Sequence, residues 1–304
     1  MKNKFLIARN FDSDEFFYEA LVGAGFVEVF NLEAADFILH DAVHPGLDAF
    51  LKLKPSFIYP HTPQSWFLWD GILEPAPVRC NFVYGDAGVQ GMKAYGYPYR
   101  VESVGFGRSA VREFRPTTGN DLLIIPSHPL QRGQYTYGNY IEWVMSFLRF
   151  VIKNRNAFGR ITLCWNETRV DPALWAEIQR QGVNIIPTNP YVDANPLKNM
   201  MERMEEADLV VSCGTAGCVS AALGKPTVFF SELEKPRSIP RWAANPEKYL
   251  DLVRFPLQAE NMTIDQIMAV RTTPNPFVEY WKQQNIGGPF NAEKFIRIVR
   301  ECLQ

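Results

Sequence analysis

The sequence predicts an α/β protein made of two Rossmann-like, doubly wound domains, and three observations lead there. The chain has 304 residues, more than one domain of about 100 to 200 residues holds. Short apolar runs alternate with amphipathic segments along its length, the pattern of open α/β sheets rather than of a barrel or a sandwich. That alternation is interrupted at Arg115, Pro116, Thr117, Thr118, Gly119 and Asn120, a polar, turn-rich stretch that reads as a domain linker. The predicted organisation is a first domain over 1–116, a second over 121–275 and a helical segment over 276–304.

In the first half, Lys4 to Ala8, Val27 to Phe30, Asp36 to Leu39 and Ser56 to Tyr59 read as strands. Asp14 to Val22 reads as a helix capped by Ser13 or Asp12, and Leu47 to Lys52 as a short helix. Asn81 to Tyr84 and Val101 to Gly105 close this half as strands, with a helix from Gly88 to Tyr95 between them.

After the linker the alternation restarts with strand Leu122 to Ile125, helix Asn139 to Lys153, strand Ile161 to Cys164, helix Pro172 to Gln181 and strand Val183 to Ile186. Ile141, Val144, Leu148, Val151 and Ile152 recur at helical spacing and mark a core face. Pro196, a residue favoured at the first helical position, opens a helix that runs to Glu206. From Phe277 the chain reads as helical with a break at Gly287, Gly288 and Pro289. Its end, Asn291 to Leu303, carries Phe295, Ile296, Ile298, Val299 and Leu303 on one broad apolar face.

Hydrophobic residues make up 47% and charged residues 21% of the chain, the balance of a soluble globular protein with sizeable cores. The net charge of −2 offers no global attraction to nucleic acid or anionic lipid. Apolar runs such as Phe150 to Ile152 are far shorter than the roughly 20 residues of a bilayer span. Met1 to Arg9 lacks the apolar core of a signal peptide, so the expectation is a cytoplasmic protein with no transmembrane segment. The cysteines (Cys80, Cys164, Cys213, Cys218 and Cys302) are odd in number and show no CxxC spacing, which argues for reduced, mostly buried thiols. Lys93, Arg100, Arg108, Arg112 and Arg115 concentrate positive charge near the predicted domain boundary, either as ion pairs or as a face that receives a phosphate.

The most informative stretch is Ala207 to Ser231, ADLVVSCGTAGCVSAALGKPTVFFS. It joins a buried strand (Leu209 to Val211), a small-residue turn (Ser212 to Gly217), an apolar helix and a second strand (Thr227 to Phe230). Such a turn leaves backbone N–H groups bare at a helix N-terminus, where the unpaired donors and the helix dipole favour an anion such as a phosphate. Its small residues also let a helix pack close to its strand, which is the structural alternative. This layout, ended by Gly224-Lys225-Pro226, resembles the donor-binding segment of GT-B glycosyltransferases and of sugar-nucleotide 2-epimerases, whose pattern is "aDlvis..G..s..Ea...gkP.i". The resemblance implies a GT-B-like fold of two domains facing a cleft, with the C-terminal helix crossing back to the first. It implies a donor site at Ser212, Gly214, Thr215, Ala216 and Gly217. It also implies a nucleotide-sugar (UDP-, CDP- or GDP-linked) as co-substrate, with no permanently bound cofactor. Those families often carry a Glu in the helix for ribose hydroxyls, and here none is present; the nearest carboxylates are Glu232 and Glu234, so any sugar-hydroxyl contact is expected from there, with Glu232 the donor-site candidate.

His61 follows the strand Ser56 to Tyr59, and in a parallel sheet the ligand crevice lies at the carboxyl ends of strands. Its ordinary pKa suits a base that removes a proton from an attacking hydroxyl. Pro60-His61-Thr62-Pro63 resembles the "WHGTP" segment of CDP-glycerol glycerophosphotransferases and of capsule and teichoic-acid transferases, whose histidine is regarded as the base. Pro60 replaces the Trp, and the Gly is missing. Val104-Gly105-Phe106-Gly107-Arg108-Ser109 resembles their "GyPRxD" turn, and Arg108 is thereby expected at a phosphate. Asp41 and Asp70 are the alternative bases. In the GT-B layout that the resemblance implies, Ser127 or His128, after the strand Leu122 to Ile125, binds the donor phosphate, the alternative being a rigid loop shaped by Pro126 and Pro129 with a surface histidine, and Pro187 and Thr188 lie at the nucleobase. Trp66 and Trp69 either pack in a core or stack on an acceptor.

His40, Asp41 and His44 form only a weak metal pattern on a predicted loop, and no metal is expected. Neither GxGxxG, GxxxxGK[ST] nor GxSxG occurs.

The expected activity is therefore transfer of a sugar or related group from a nucleotide-activated donor to a hydroxyl on a glycan or lipid-linked glycan. Three alternatives remain open at this point: transfer to a hydroxylated nucleic-acid base, epimerisation or hydrolysis of a sugar nucleotide, and binding of a nucleotide-sugar without turnover.

Overall fold

A computed structural model describes residues 3–8, 15–41, 53–60, 78–94, 96–126, 137–165, 172–187, 196–212, 214–229, 259 and 262–304. In chain order the first elements are β1 (Lys4–Ala8), α1 (Glu15–Gly23), β2 (Val27–Glu28), β3 (Phe37–Asp41), β4 (Ser56–Tyr59), β5 (Val78–Val83), α2 (Asp86–Ala94) and β6 (Val101–Ser103). There follow β7 (Leu122–Ile125), α3 (Tyr137–Lys153), β8 (Ile161–Trp165), α4 (Pro172–Arg180), β9 (Val183–Pro187), α5 (Pro196–Glu206), β10 (Leu209–Ser212), α6 (Gly214–Ala222) and β11 (Thr227–Phe229). The last described helices are α7 (Ile264–Ala269), α8 (Pro276–Asn285) and α9 (Ala292–Leu303). The chain divides into two compact units, one of Met1–Val111, Ser238–Arg254 and Trp281–Gln304, the other of Arg112–Arg237 and Phe255–Tyr280.

The first unit holds a parallel sheet in the order β2-β1-β3-β4-β5-β6. This is the flavodoxin-like doubly wound order, whose direction reverses between β1 and β3. Every residue of β4 is buried, as expected of a parallel strand covered on both faces. A row of rings crosses four adjacent strands: Phe5 on β1, Phe37 on β3, Phe57 on β4 and Phe82 on β5, with centroids 6.0, 5.3 and 6.2 Å apart in turn. Phe295 of α9 packs on that row 4.9 Å from Phe82, and it meets Phe17 of α1 at 5.3 Å. Asn291 caps the helix: its side chain accepts a hydrogen bond from the Lys294 N–H at 2.8 Å.

Glycines seat the segment that precedes α9. A Cβ on Gly85 would lie 2.2 Å from the Gln284 carbonyl oxygen, and one on Gly105, at φ +77°, would lie 2.2 Å from that of Pro289. The close approach allows the Phe106 N–H to bond to Gly288 O at 2.9 Å and the Asn291 N–H to bond to Val104 O at 2.7 Å. Val104-Gly105-Phe106 is thus the dock for the C-terminal segment.

The second unit holds a separate parallel sheet in the order β11-β10-β7-β8-β9. Numbered within the unit and read from β9, the order is 3-2-1-4-5, that of the Rossmann fold. Its core gathers Leu122 and Ile124 of β7, Val144, Leu148 and Val151 of α3, and Val211 and Val228 of β10 and β11. Two separate parallel sheets bear out the predicted doubly wound α/β class.

The polar stretch expected to be a plain linker is tied down in the second unit. The Arg112 and Arg115 N–H groups donate to Ala222 O at 2.7 Å and Gly224 O at 2.8 Å, carbonyls at and just past the end of α6. The Thr117 N–H donates to Arg271 O at 2.9 Å and its hydroxyl to Asp208 O at 2.8 Å. The helix stops at Gly224, whose φ of +75° places Lys225 N–H on Ser220 O at 3.1 Å.

Several strand ends differ from expectation because parallel pairing carries on past the apolar run. β3 reaches His40 and Asp41, paired with Ile58 and Tyr59, so neither residue lies on a loop. β9 reaches Pro187, paired with Trp165, so Pro187 ends a strand rather than opening the loop after it. β2 and β6 stop earlier, at Glu28 and Ser103. The short helix expected over Leu47 to Lys52 lies outside the described residues.

Candidate functional site

In the second unit the strand order reverses between β7 and β10, and a doubly wound sheet binds ligands outside the carboxyl ends of the strands at that point. The Ser212 hydroxyl, fully buried at the end of β10, donates to the Ile125 carbonyl at the end of β7 at 2.8 Å. This bond closes the two strand ends together. The Ser212 proton is used there, so the side chain positions the turn and has no donor left for a phosphate.

α6 begins at Gly214, two residues beyond Ser212, and carries no charged side chain from Gly214 to Ala222. Its N-terminal N–H groups and partial positive charge therefore meet no acid of their own helix, the condition for holding an anion. Gly214 and Thr215 form the first turn, followed by half-buried Ala216. Gly217 serves another purpose, since a Cβ there would lie 2.9 Å from the Phe229 ring of β11. Its missing side chain allows close helix–strand packing, the alternative that the sequence left open. Ser220 and Thr227 bond through their hydroxyls at 2.7 Å on the same interface. Ser127, His128, Thr188 and Glu232 lie outside the described residues, and nothing is described of the Pro187 side chain.

In the first unit the reversal falls between β1 and β3, where Ala8 pairs with His40. His40 is completely buried at the carboxyl end of its strand. The sequence pattern had offered it only as part of a weak metal motif; the signal for its true place is the continuation of the apolar run Phe37 to Leu39 by one paired residue. Asp41 ends β3 beside Tyr59. The carbonyl of Pro60 accepts from the Tyr84 hydroxyl at 2.7 Å, which anchors the residue before His61 to the end of β5. His61, Asp70, Trp66 and Trp69 lie outside the described residues. Arg108 is described, in the first unit, and is 7% exposed.

The positive cluster resolves in part into ion pairs. Arg100 bonds to Glu102 at 3.0 Å and to Glu301 at 3.1 Å, while Arg112 and Arg115 both pair with Glu205, the latter at 3.7 Å. Burial pushes the Lys225 ammonium below the usual lysine range, with Glu205 and Asp208 pulling it partly back. Among the described residues no group of three or more His, Cys, Asp or Glu side chains could hold a metal ion. No described helix is long and apolar enough to cross a membrane.

Two Rossmann-like units with these strand orders, each with a reversal point, correspond to the two domains of a GT-B fold. Among solved structures, the wall teichoic acid polymerase TagF aligns with 100% of this chain and 90% of its own at 10% identity and a TM-score of 0.51. At that identity the likeness is one of fold. TarM aligns with 88% of this chain at 13% identity, and this chain spans about half of TarM, 54%. An alpha-glucosyltransferase in complex with UDP-glucose and DNA containing an abasic site covers 100% of this chain and 99% of its own at 12% identity. Both of these have TM-scores of 0.44 and add nothing to the assignment. No protein-family model matches the sequence, and no curated protein matches it.

Proposed function

We propose that the protein is a glycosyltransferase of the GT-B type that moves a sugar or related group from a nucleotide-activated donor to an acceptor hydroxyl. The observation that carries this reading is the reversal point of the second sheet, where Ser212 is tied to Ile125 and the uncharged α6 opens two residues later. The backbone N–H groups of Gly214, Thr215 and Ala216 would receive the diphosphate and stabilise it as the leaving group. Ser127 and His128 would add to that contact, Pro187 and Thr188 would border the nucleobase, and Glu232 would accept from sugar hydroxyls.

The first unit would present the acceptor. His61, next to the anchored Pro60, would take the proton from the attacking hydroxyl, with the carboxylates of Asp41 and Asp70 as the other candidates for that role. Trp66 and Trp69 would stack on the acceptor and Arg108 would face a phosphate. A glycan or lipid-linked glycan is favoured over a nucleic-acid base, because a net charge of −2 supplies no attraction to a polyanion.

A thermal-shift screen against UDP-, CDP-, GDP- and ADP-linked donors tests this directly. A donor that binds only the folded protein adds about 2.7 kcal/mol at 100 times its Kd, read as a raised Tm. No shift with any of them in a folded protein removes the donor reading. A shift without transfer or hydrolysis replaces the enzyme by a binding protein.

A further inference from the structure

Two cysteines of the first unit, separated by most of the chain, converge where α9 covers β5. Cys80 is buried on β5, two residues before Phe82 and on the same side of the strand. Cys302 lies two helical turns after Phe295 on α9 and is half-buried. Since Phe82 and Phe295 are in ring contact, both cysteines belong to the same strand–helix interface. The Cys302 sulfur lies 3.9 Å from the carbonyl oxygen of Arg79, the residue joined to Cys80. Burial pushes the Cys80 thiol up, and the adjacent Cys302 sulfur pushes it further, as two thiols in one neighbourhood do.

Cys302 also has a cationic neighbour. Arg100 Nη1 donates to its sulfur at 3.6 Å, and the guanidinium is held in place by Glu102 and Glu301 at 3.0 and 3.1 Å. A guanidinium fixed beside a partly exposed sulfur would stabilise the negative charge that passes to the departing peroxide oxygen when the sulfur attacks. Cys80 has no such access, and its hydrogen bond goes to the neighbouring Asn81 carbonyl at 3.7 Å.

We propose that Cys302 and Cys80 form an oxidisable dithiol pair, with Cys302 the thiol that reacts with hydrogen peroxide and Cys80 the thiol that resolves it. In the first step the Cys302 sulfur attacks one peroxide oxygen. An S–O bond forms, the O–O bond breaks, and the thiol proton leaves with the other oxygen as water. In the second step the Cys80 sulfur attacks the Cys302 sulfenic acid. An S–S bond forms, the S–O bond breaks, and the hydroxyl leaves as a second water with the Cys80 proton. Two sulfurs lose two electrons, and the peroxide accepts them. Burial of Cys80 makes the second step the slower one, so sulfenic acid appears at Cys302 before the bridge does. The bridge would lock α9 to the sheet it covers.

The test exposes the folded, full-length protein to hydrogen peroxide, traps sulfenic acid with dimedone at early times, blocks remaining thiols and digests with trypsin. Cleavage after Arg79 and Arg300 releases Cys80 to Lys93 and Glu301 to Gln304. The expected result is an early dimedone adduct on the Glu301 peptide, followed without dimedone by a disulfide between these two peptides that Cys302→Ser abolishes. In Cys80→Ala the adduct on Cys302 should persist. In Arg100→Gln it should form several-fold more slowly. Peroxide that leaves the two peptides unlinked in a protein still folded by circular dichroism overturns the proposal, as does a bridge from Cys302 to another chain. An Arg100→Gln rate equal to wild type overturns the reactive role of Cys302.

Discussion

Gly217 shows how one residue is read in two ways. In the sequence it belongs to a small-residue turn whose N–H groups suit a phosphate; in the fold it leaves room for the Phe229 ring, 2.9 Å from where a Cβ would be. Gly217→Val should therefore destabilise the protein by about 1 to 3 kcal/mol through overpacking, and Phe229→Leu on the same chain should restore much of the loss. Denaturant unfolding of the two variants checks this. Gly214, at the first position of α6, gives the cleaner donor test. Gly214→Val should weaken donor binding more than tenfold, about 1.4 kcal/mol, with the melting temperature close to wild type. Unchanged affinity in titration calorimetry would move the diphosphate away from this turn.

Among the elements, α9 shows most plainly that an apolar face needs a partner. Its stripe of Phe295, Ile296, Ile298, Val299 and Leu303 was legible from spacing alone; the first four are buried and Leu303, in the last turn, is half-buried. The resemblance pointed it to the first domain, but the rings it meets were not legible, because Phe82 and Phe17 come from parts of the chain far from it in sequence. Phe295→Ala removes a ring that meets Phe17, Phe82 and Phe290 and should cost about 3 to 5 kcal/mol. Urea unfolding followed by circular dichroism should show a midpoint well below wild type. A midpoint unchanged within error would mean that the helix is not part of the cooperative core.

For the whole molecule the proposed division of labour predicts that binding and turnover separate. His61→Ala should lose about a hundredfold to ten-thousandfold in turnover, the usual contribution of a positioned base, while donor affinity, assigned to the second unit, stays near wild type. Steady-state rates set beside the melting temperature check this. A structural histidine would lower the melting temperature and leave turnover per folded molecule largely intact. Should His128→Ala abolish turnover and His61→Ala spare it, Asp41 and Asp70 become the bases to test.

The local pattern of the sequence determined the α/β class, the strand–turn–helix–strand unit at Ala207 to Ser231 and the strands and helices around it, because periods of two and 3.6 are written between near neighbours. Strand ends were less legible: pairing of Asp41 with Tyr59 and of Trp165 with Pro187 extends β3, β8 and β9 beyond their apolar runs, and a pairing partner leaves no mark in the segment itself. Tertiary structure alone decided the two strand orders, and with them the reversal points. It brought Ser212 to Ile125 across 87 positions and Cys302 to the neighbourhood of Cys80. The physical reason lies in parallel sheets, which join strands only through crossovers, so which ends become neighbours follows from the packing of the whole unit and not from any short run of residues.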